Sequence, residues 1–501
     1  MSMLSRFTVT VASALCATAL CACAVGPNYK RPPAAGAEHY KNLAPPTAPP
    51  QPIPDQWWTV FQDDTLNELI PQVDVSNQNL AQAIAAYAQA EAVVRQARAT
   101  FFPVITANAS ATRVTSGSRG GGTTVGSTPI VPSGSGPSGT ATSTNPNGTI
   151  TTTLYQVQGT GNWQLDVFGK LRRTLENARE SSQADLADLA SARLAAQQQL
   201  ATAYLQLRGA DAERRLLTAS AEAYGRTLEI TQNRYRVGTA PKTDVLQAET
   251  QFYNAEQQEA AMRLQRAQLE DAIAVLVGKP ASDFKLAEQE DWHIPIPEVP
   301  VGVPSTLLER RPDIVAAERL AAAANANVGV QEAAYFPDLT LTGTIGYLST
   351  TVSRLFETAN VTREVALSAS QTVLDFGATR AKVAQARAQY QQSVASYRQT
   401  VLTALQGVEN DLAAADWDKK QYELIKKSSE AADESERLTL NEYKAGTVDY
   451  TAVVVAQTAA LSARLTLAQV TVSEQTTAVS LMADLGGGWT PAAQPPPEEK
   501  P

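Results

Sequence analysis

Leu339-Thr340-Leu341-Thr342-Gly343-Thr344-Ile345-Gly346-Tyr347 decides how this chain folds, because apolar residues or glycine hold the odd positions and threonine or glycine the even ones. A period of two describes a strand with one apolar and one polar face. Tyr155, Val157, Gly159, Gly161, Trp163 and Leu165 alternate in the same way with Gln156, Gln158, Thr160, Asn162 and Gln164. Residues 104–114 and 363–374 carry weaker versions. These four strands, each about 10–12 residues long, suit a membrane barrel with apolar side chains toward lipid. A soluble sandwich with one wet face shows the same alternation. Four strands cannot close a barrel, and an open edge is forbidden in hydrocarbon. A membrane reading therefore demands an oligomer, and three copies would supply 12 strands.

The module that holds these strands is written twice. Val167-Phe168-Gly169-Lys170-Leu171-Arg172 reappears as Asp375-Phe376-Gly377-Ala378-Thr379-Arg380, and Tyr235-Arg236-Val237-Gly238-Thr239 as Tyr443-Lys444-Ala445-Gly446-Thr447. Gly169 and Gly377, Gly238 and Gly446, and Gly278 and Gly486 are each 208 residues apart. Phe102-Pro103 and Phe336-Pro337 are 234 apart, so the first copy carries 26 extra residues between Pro103 and Gly169. The Gly/Ser/Thr/Pro tract at 115–148 accounts for them as a loop insertion. Such a long period excludes a small solenoid repeat and indicates a duplicated half-molecule.

Each half also carries helices. Leu66, Leu69, Ile70, Leu80, Ile84, Tyr87 and Val94 lie near helical spacing and predict a helix over 64–98. After the second strand of each half, 69 residues without proline run from Gly169 to Gly238 and from Gly377 to Gly446. Each run could extend about 100 Å as helix, which implies a coiled coil or helical tube. Gly238 and Gly446 fit as C-cap glycines, after which a second helix of about 40 residues returns to Gly278 or Gly486. Abundant Ala and Gln suit close helix packing, and the thin spread of large apolar residues argues against an ordinary globular core.

The N-terminus is a targeting segment: Arg6 is the positive start, residues 7–19 the apolar stretch, and Leu20-Cys21-Ala22-Cys23 follows. That ending resembles a bacterial lipobox, with Cys23 as the acylated first residue of the mature chain; an ordinary secretory signal is the alternative. The cysteines are Cys16, Cys21 and Cys23, so the mature chain has no disulfide even in an oxidising compartment. The net charge of −9, with no basic patch carrying interleaved aromatics, gives no sign of nucleic-acid binding, and no nucleic-acid partner is expected. No mature segment reaches the ~18 uninterrupted apolar residues of a spanning helix. The expected organisation is a signal peptide (1–22), a lipidated strap (23–63), repeat 1 (64–278, strands about 103–114 and 153–168, hairpin 169–278) and a linker at mid-height (279–311). Repeat 2 (312–488, strands about 337–348 and 363–376, hairpin 377–486) and a disordered Pro/Glu-rich tail (489–501) complete it.

Taken together, the order of elements resembles the TolC-like outer-membrane factors, in their lipoprotein branch, the NodT-type efflux proteins. The resemblance rests on Cys23-Ala24-Val25-Gly26-Pro27-Asn28-Tyr29-Lys30-Arg31-Pro32 and on Leu308-Glu309-Arg310-Arg311-Pro312-Asp313-Ile314 with Ala317-Glu318. Ala333-Ala334-Tyr335-Phe336-Pro337, Asp375-Phe376-Gly377 and Tyr443-Lys444-Ala445-Gly446-Thr447-Val448-Asp449-Tyr450 complete it. It implies a mainly α fold with a membrane β-barrel part. A homotrimer would span the outer membrane with a 12-strand barrel and project a 12-helix tube into the periplasm. There a periplasmic adaptor would join it to an inner-membrane pump of the resistance–nodulation–division type. The chain would be a lipid-anchored, passive exit duct for drugs or other small solutes, needing no cofactor or metal. The alternative is the exit duct of type I protein secretion.

The resemblance also implies site residues at the hairpin ends, where the pore closes. Thr243, Asp244 and Tyr443 match the gate latch, and a Tyr443–Asp244 hydrogen bond is expected; Asp244 could instead simply favour its helix N-terminus. Val448 stands where many relatives have arginine or a small polar residue, and Thr451, Ala452 and Val455 where they have an acidic ring. Thr451 and Val455 are therefore expected to line an apolar constriction, unless Val453–Val455 only pack between helices. By the same resemblance, adaptor contact is expected at Arg236, Gly238, Thr239, Lys444, Gly446 and Thr447, although helix caps explain the two glycines, Gly238 and Gly446, equally well. An enzyme is not indicated. His39 and His293 lack plausible partners, no phosphate loop or nucleophile elbow appears, and Asp63-Asp64 reads as a helix start.

Overall fold

The computed structural model describes residues 24–34, 40–41, 54–117, 149–289, 296–297, 299 and 310–489. Cys23, the signal segment, residues 118–148 of the insertion, most of the linker and the tail beyond 489 lie outside the described residues. The helices are α1 (Asp64–Ser76), α2 (Gln78–Ala99), α3 (Lys170–Arg236), α4 (Lys242–Leu276), α5 (Pro312–Glu332), α6 (Ala378–Ala445) and α7 (Tyr450–Asp484). The strands are β1 (Val104–Gly117), β2 (Thr149–Leu165), β3 (Asp338–Ser349) and β4 (Val361–Ser370). The described residues form two compact units, one drawn from within 1–30, 90–181 and 322–392, the other from within 31–89, 182–321 and 393–501.

The first unit contains an antiparallel sheet in the order β1-β2-β3-β4. Residues directly opposite one another share a face, so register sorts the side chains. Ile105, Ala107, Ala109 and Ala111 lie opposite Gly161, Gly159, Val157 and Tyr155. Val157, Gly159 and Trp163 lie in turn opposite Tyr347, Ile345 and Leu341, and Leu341 opposite Leu367. The other face holds Thr106, Asn108, Ser110, Gln156, Gln158, Thr340, Thr342 and Ser368. One face is thus apolar and the other polar, as the alternation requires. The strand ends differ from expectation: β2 begins earlier, at Thr149, and β4 stops at Ser370 rather than near residue 376. Ser370 lies opposite Asp338, where β3 begins, so the chain beyond it has no neighbour to pair with. Asp375 turns to the helix instead, accepting from Gly377 N at 2.9 Å and Thr379 N at 2.7 Å.

The Gly-Pro-Asn segment after Cys23 is held in the same unit. Buried Arg173 donates to the carbonyls of Val25 (3.1 Å) and Gly26 (3.0 Å) and to Asn28 Oδ1 (2.9 Å). Asn325 Nδ2 reaches the Pro27 carbonyl at 2.9 Å. A guanidinium reading three acceptors fixes an extended strap that has no secondary structure of its own.

The second unit holds a real apolar core, contrary to the expectation of none. Trp57, Phe61, Leu66, Ile70, Leu200, Tyr204, Tyr397, Val401, Val408, Val479 and Met482 pack together and are buried. Aromatics of a short 3-10 turn at Trp57–Phe61 concentrate the apolar volume that the long helices lack. The expected helix over 64–98 is two helices, broken at Asn77. Its side chain caps α2 through Asn79 N (2.9 Å) and Leu80 N (3.1 Å), while Nδ2 donates to the Leu276 carbonyl at 2.9 Å. Asp63 caps α1, as expected, and accepts a hydrogen bond from Tyr204 Oη at 2.8 Å. The returning helices are 35 residues each rather than about 40. α7 is long and apolar enough by composition to cross a membrane. Its Arg464, however, pairs with Asp433 (2.7 Å) and Glu436 (2.9 Å) on α6, as suits a packed helix.

The arginine motif before α5 ties this unit together. Arg311 donates to the Asp484 carbonyl (2.9 Å) and carboxylate (3.0 Å) at the end of α7, and to Asp313. Near it burial, reinforced by Asp484 and opposed by Arg311, pushes the Asp411 carboxyl up to about 7. A carboxyl raised on folding weakens the fold as pH climbs from its unfolded value near 4 through 7. Asp411→Asn is therefore expected to raise the midpoint of thermal unfolding at pH 8 and to leave it unchanged near pH 4. An equal shift at both pH values would show that ionisation is not the cause.

Candidate functional site: the hairpin tips

The 208-residue register proves to be a repeated helix ending. At the end of α3, Gly238 N bonds to Tyr235 O (3.0 Å) and Thr239 N to Arg234 O (2.8 Å). At the end of α6, Gly446 N bonds to Tyr443 O and Thr447 N to Glu442 O, both at 3.0 Å. Both are Schellman motifs, and each needs a left-handed residue at the glycine, with φ of 77° and 81°. The ends of α4 and α7 repeat the pattern at Gly278 and Gly486. Thr239 and Thr447 reinforce the turns, each hydroxyl donating at 3.0 Å to the same carbonyl as its own backbone N–H.

Beyond the turns the copies diverge. Asp449 caps α7 by accepting from Ala452 N at 3.3 Å, whereas Pro241, at the N-cap of α4, offers no side-chain cap. Asp244 lies in the first turn of α4 and is partly buried, next to exposed Thr243. Burial raises the Asp244 carboxyl, while Arg234 lowers it and Asp449 raises it further.

Tyr443 does not hydrogen-bond to Asp244 within the chain, which corrects that expectation. Its hydroxyl lies 3.5 Å from Thr231 Oγ1, and its ring meets Tyr450 edge-on at 5.3 Å. The Arg234 guanidinium sits 4.5 Å from the Tyr443 ring centre, and Nη1 donates to the Tyr443 carbonyl at 2.8 Å. One cation thus grips both the ring and the backbone of the last turn of α6. Tyr450 is fully buried; burial, with Tyr443 the next cause, raises its hydroxyl, which has no hydrogen-bond partner among the described residues. Ala248 and Val453 close this cluster, with Val448 packed against it.

Val453 therefore packs between helices, but Val455 does not: it is 64% exposed, and Thr451 is exposed on the same side of α7. Arg236, Gly238, Thr239, Lys444, Gly446 and Thr447 are all exposed at the turns. Beside them Tyr235 and Val237 are exposed apolar residues that sequence reading passed over, as it did Arg234 and Thr231. Register held a signal for Arg234: its counterpart 208 residues on is Glu442, a reversal of charge.

An amphipathic sheet, two long helical hairpins from a duplicated module and paired tips define a channel-forming outer-membrane protein. The family described as Outer membrane efflux protein matches residues 69–279 and 303–487. The chain belongs to that family. It is similar to the probable efflux pump outer membrane protein SepC of Pseudomonas putida, with 31% identity over 349 residues, 68% of each chain. The toluene efflux pump outer membrane protein TtgF of Pseudomonas putida is equally similar. Among solved structures, the outer-membrane channel OprN has a TM-score of 0.83 at 29% identity, covering 93% of this chain and all of that one. The open state of the MtrE outer membrane channel of Neisseria gonorrhoeae has a TM-score of 0.78 at 25% identity, covering 94% of this chain and all of that one. The protein is thus an outer-membrane exit duct of an efflux pump.

Proposed function

We propose that three copies of the chain close one 12-strand barrel and one helical tube, a conduit that performs no catalysis itself. The observation that carries this is the four-stranded sheet: one face is apolar, and β1 and β4 each pair on one side only among the described residues. Hydrocarbon tolerates neither edge, so each β4 must pair with the β1 of a neighbour. The helices that flank every strand face the periplasm, and the 350–360 connection between β3 and β4 faces outward. Acylated Cys23 adds a lipid anchor, and the Arg173 grip on residues 25–28 supports a strap beginning there. The relatives are named as efflux proteins, which favours small solutes such as organic solvents over secreted proteins. By the same resemblance, a resistance–nodulation–division pump supplies them through a periplasmic adaptor.

The adaptor docks on the exposed turns at Arg236, Gly238, Thr239, Lys444, Gly446 and Thr447. The closed state is held by the tip cluster, with Arg234 as the clamp between hairpins and Thr243–Asp244 beside it. Thr451 and Val455 face the pore and narrow it with apolar surface, which gates by dewetting. Reconstituted trimers in planar bilayers should therefore conduct, and Val455→Asp should change both conductance and its response to divalent cations. No conductance from wild type would defeat the channel reading; unaltered behaviour of Val455→Asp would remove Val455 from the constriction.

A further inference from the structure

The apolar face of the sheet carries two cations. Arg113 lies opposite Thr153 and Arg363 opposite Ile345, both on the face that holds Val157, Tyr347 and Val365. Both are exposed, and they are the charged side chains of the described strands on that face. Glu364, next in sequence, belongs to the polar face opposite Thr344. Glu357, in the connection before β4, is engaged by Arg354 at 3.1 Å. A bare guanidinium toward lipid is penalised most at the bilayer midplane and least at its interface.

Aromatic residues locate that interface. Trp163 stands near the helix-connected end of the face and Tyr155 near the loop end, eight residues along the same strand. The spacing is roughly 26 Å along the strand, the scale of an outer-membrane apolar band. Tyr347 marks the loop-end level as well, with its ring 5.3 Å from Phe356. Arg113 is one pair beyond Tyr155, and Arg363 one pair inward of Tyr347. Arg113 sits at the outer headgroup level, and Arg363 lies inward of it, where a long side chain can extend toward that level.

Closure then brings them together. The row through Val104 reaches Asn162, Thr342 and Ala366, yet those strands continue toward the helix-connected end as far as Leu165, Asp338 and Ser370. This stagger keeps the rim of a tilted barrel level. The row through Arg363 passes Ile345 and Gly159 to Ala107 of its own chain. Carried across the seam with the same stagger, it meets the neighbouring copy several residues nearer the loop end, at the level of Arg113. On adjacent strands about 4.8 Å apart, two guanidinium groups can grip one phosphate.

We propose that each seam between copies forms a site for the phosphate-bearing headgroup of an outer-leaflet glycolipid, with Arg363 from one copy and Arg113 from the next. The inference rests on the trimeric-barrel reading. Lipid gripped at the seam would also staple neighbouring strands that no covalent bond joins.

Native mass spectrometry of the full-length trimer with lipid A, and with lipid A stripped of its phosphates, tests it. Wild type should retain one phosphorylated lipid per seam and none of the stripped form. Arg113→Gln and Arg363→Gln should each lower occupancy about tenfold, with the double variant little worse, because one site has lost one ligand pair. Both variants should still form conducting trimers. Retention in both, loss in only one, equal retention of the stripped lipid, or displacement by millimolar inorganic phosphate would overturn the site. A wild type that is monomeric and non-conducting overturns the channel reading and the inference together; conducting trimers with unchanged lipid overturn the inference alone.

Discussion

Gly278→Ala is expected to destabilise the protein far more than Gly238→Ala, although both glycines end helices in the same left-handed turn. Their φ values are 69° and 77°, so the conformational penalty of a side chain is the same at both, about 1–2 kcal/mol. Their surroundings differ. A Cβ at Gly238 meets nothing within 4 Å, whereas at Gly278 it would overlap the Ser76 carbonyl, whose carbon lies at 2.9 Å. The backbone there cannot give way easily, because Asn77 of the same turn is bonded to Leu276 and caps α2. Overpacking of this kind adds about 1–3 kcal/mol. Thermal unfolding in detergent should show a small loss for Gly238→Ala and a loss two to three times greater for Gly278→Ala, by that arithmetic. Equal losses would mean that the left-handed turn alone accounts for both glycines.

Arg234→Gln is expected to open the tip. The substitution removes a stacked cation, worth about 0.5–2 kcal/mol, and a charged donor to a carbonyl, worth about 1.5–3 kcal/mol. Each 1.4 kcal/mol is a factor of ten in an equilibrium constant. If the closed tip depends on this clamp in three copies, resting conductance in planar bilayers should rise several-fold without an adaptor. Arg234→Lys should fall between, since a point charge keeps the attraction but loses the planar fork. Wild-type stability with unchanged conductance in Arg234→Gln, beside a rise in Asp244→Asn, would move the latch back to the carboxylate.

Tyr235 and Tyr443 show why the tip was only partly legible in the chain. They are register-equivalent and stand at the same place in the same Schellman motif, yet Tyr235 is 47% exposed and Tyr443 is 2% exposed. Local chemistry is identical at the two positions; the neighbours are not. Tyr443 is enclosed by Thr231 and Arg234 of α3, which are 212 and 209 residues away in sequence, and by Tyr450 at the start of α7. Val453 and Val455 diverge likewise, since two steps along a helix turn a side chain by about 200° to another face.

Features that rest on adjacent residues could largely be read from the chain alone. Alternation in Leu339–Tyr347 set a two-faced strand, and the paired glycines set where helices end, because a left-handed residue is needed there. The duplication followed from their constant spacing. Tertiary structure alone decided which copy of each module turns its tyrosine inward, that Arg234 and not Asp244 holds Tyr443, and that Trp57, Phe61 and Tyr204 gather into a core. It also put Arg113 and Arg363 on one face of the sheet. The physical reason is the same in each case: hydrogen bonds within a turn are written in adjacent residues, whereas burial and charge pairing depend on which distant segments are brought alongside.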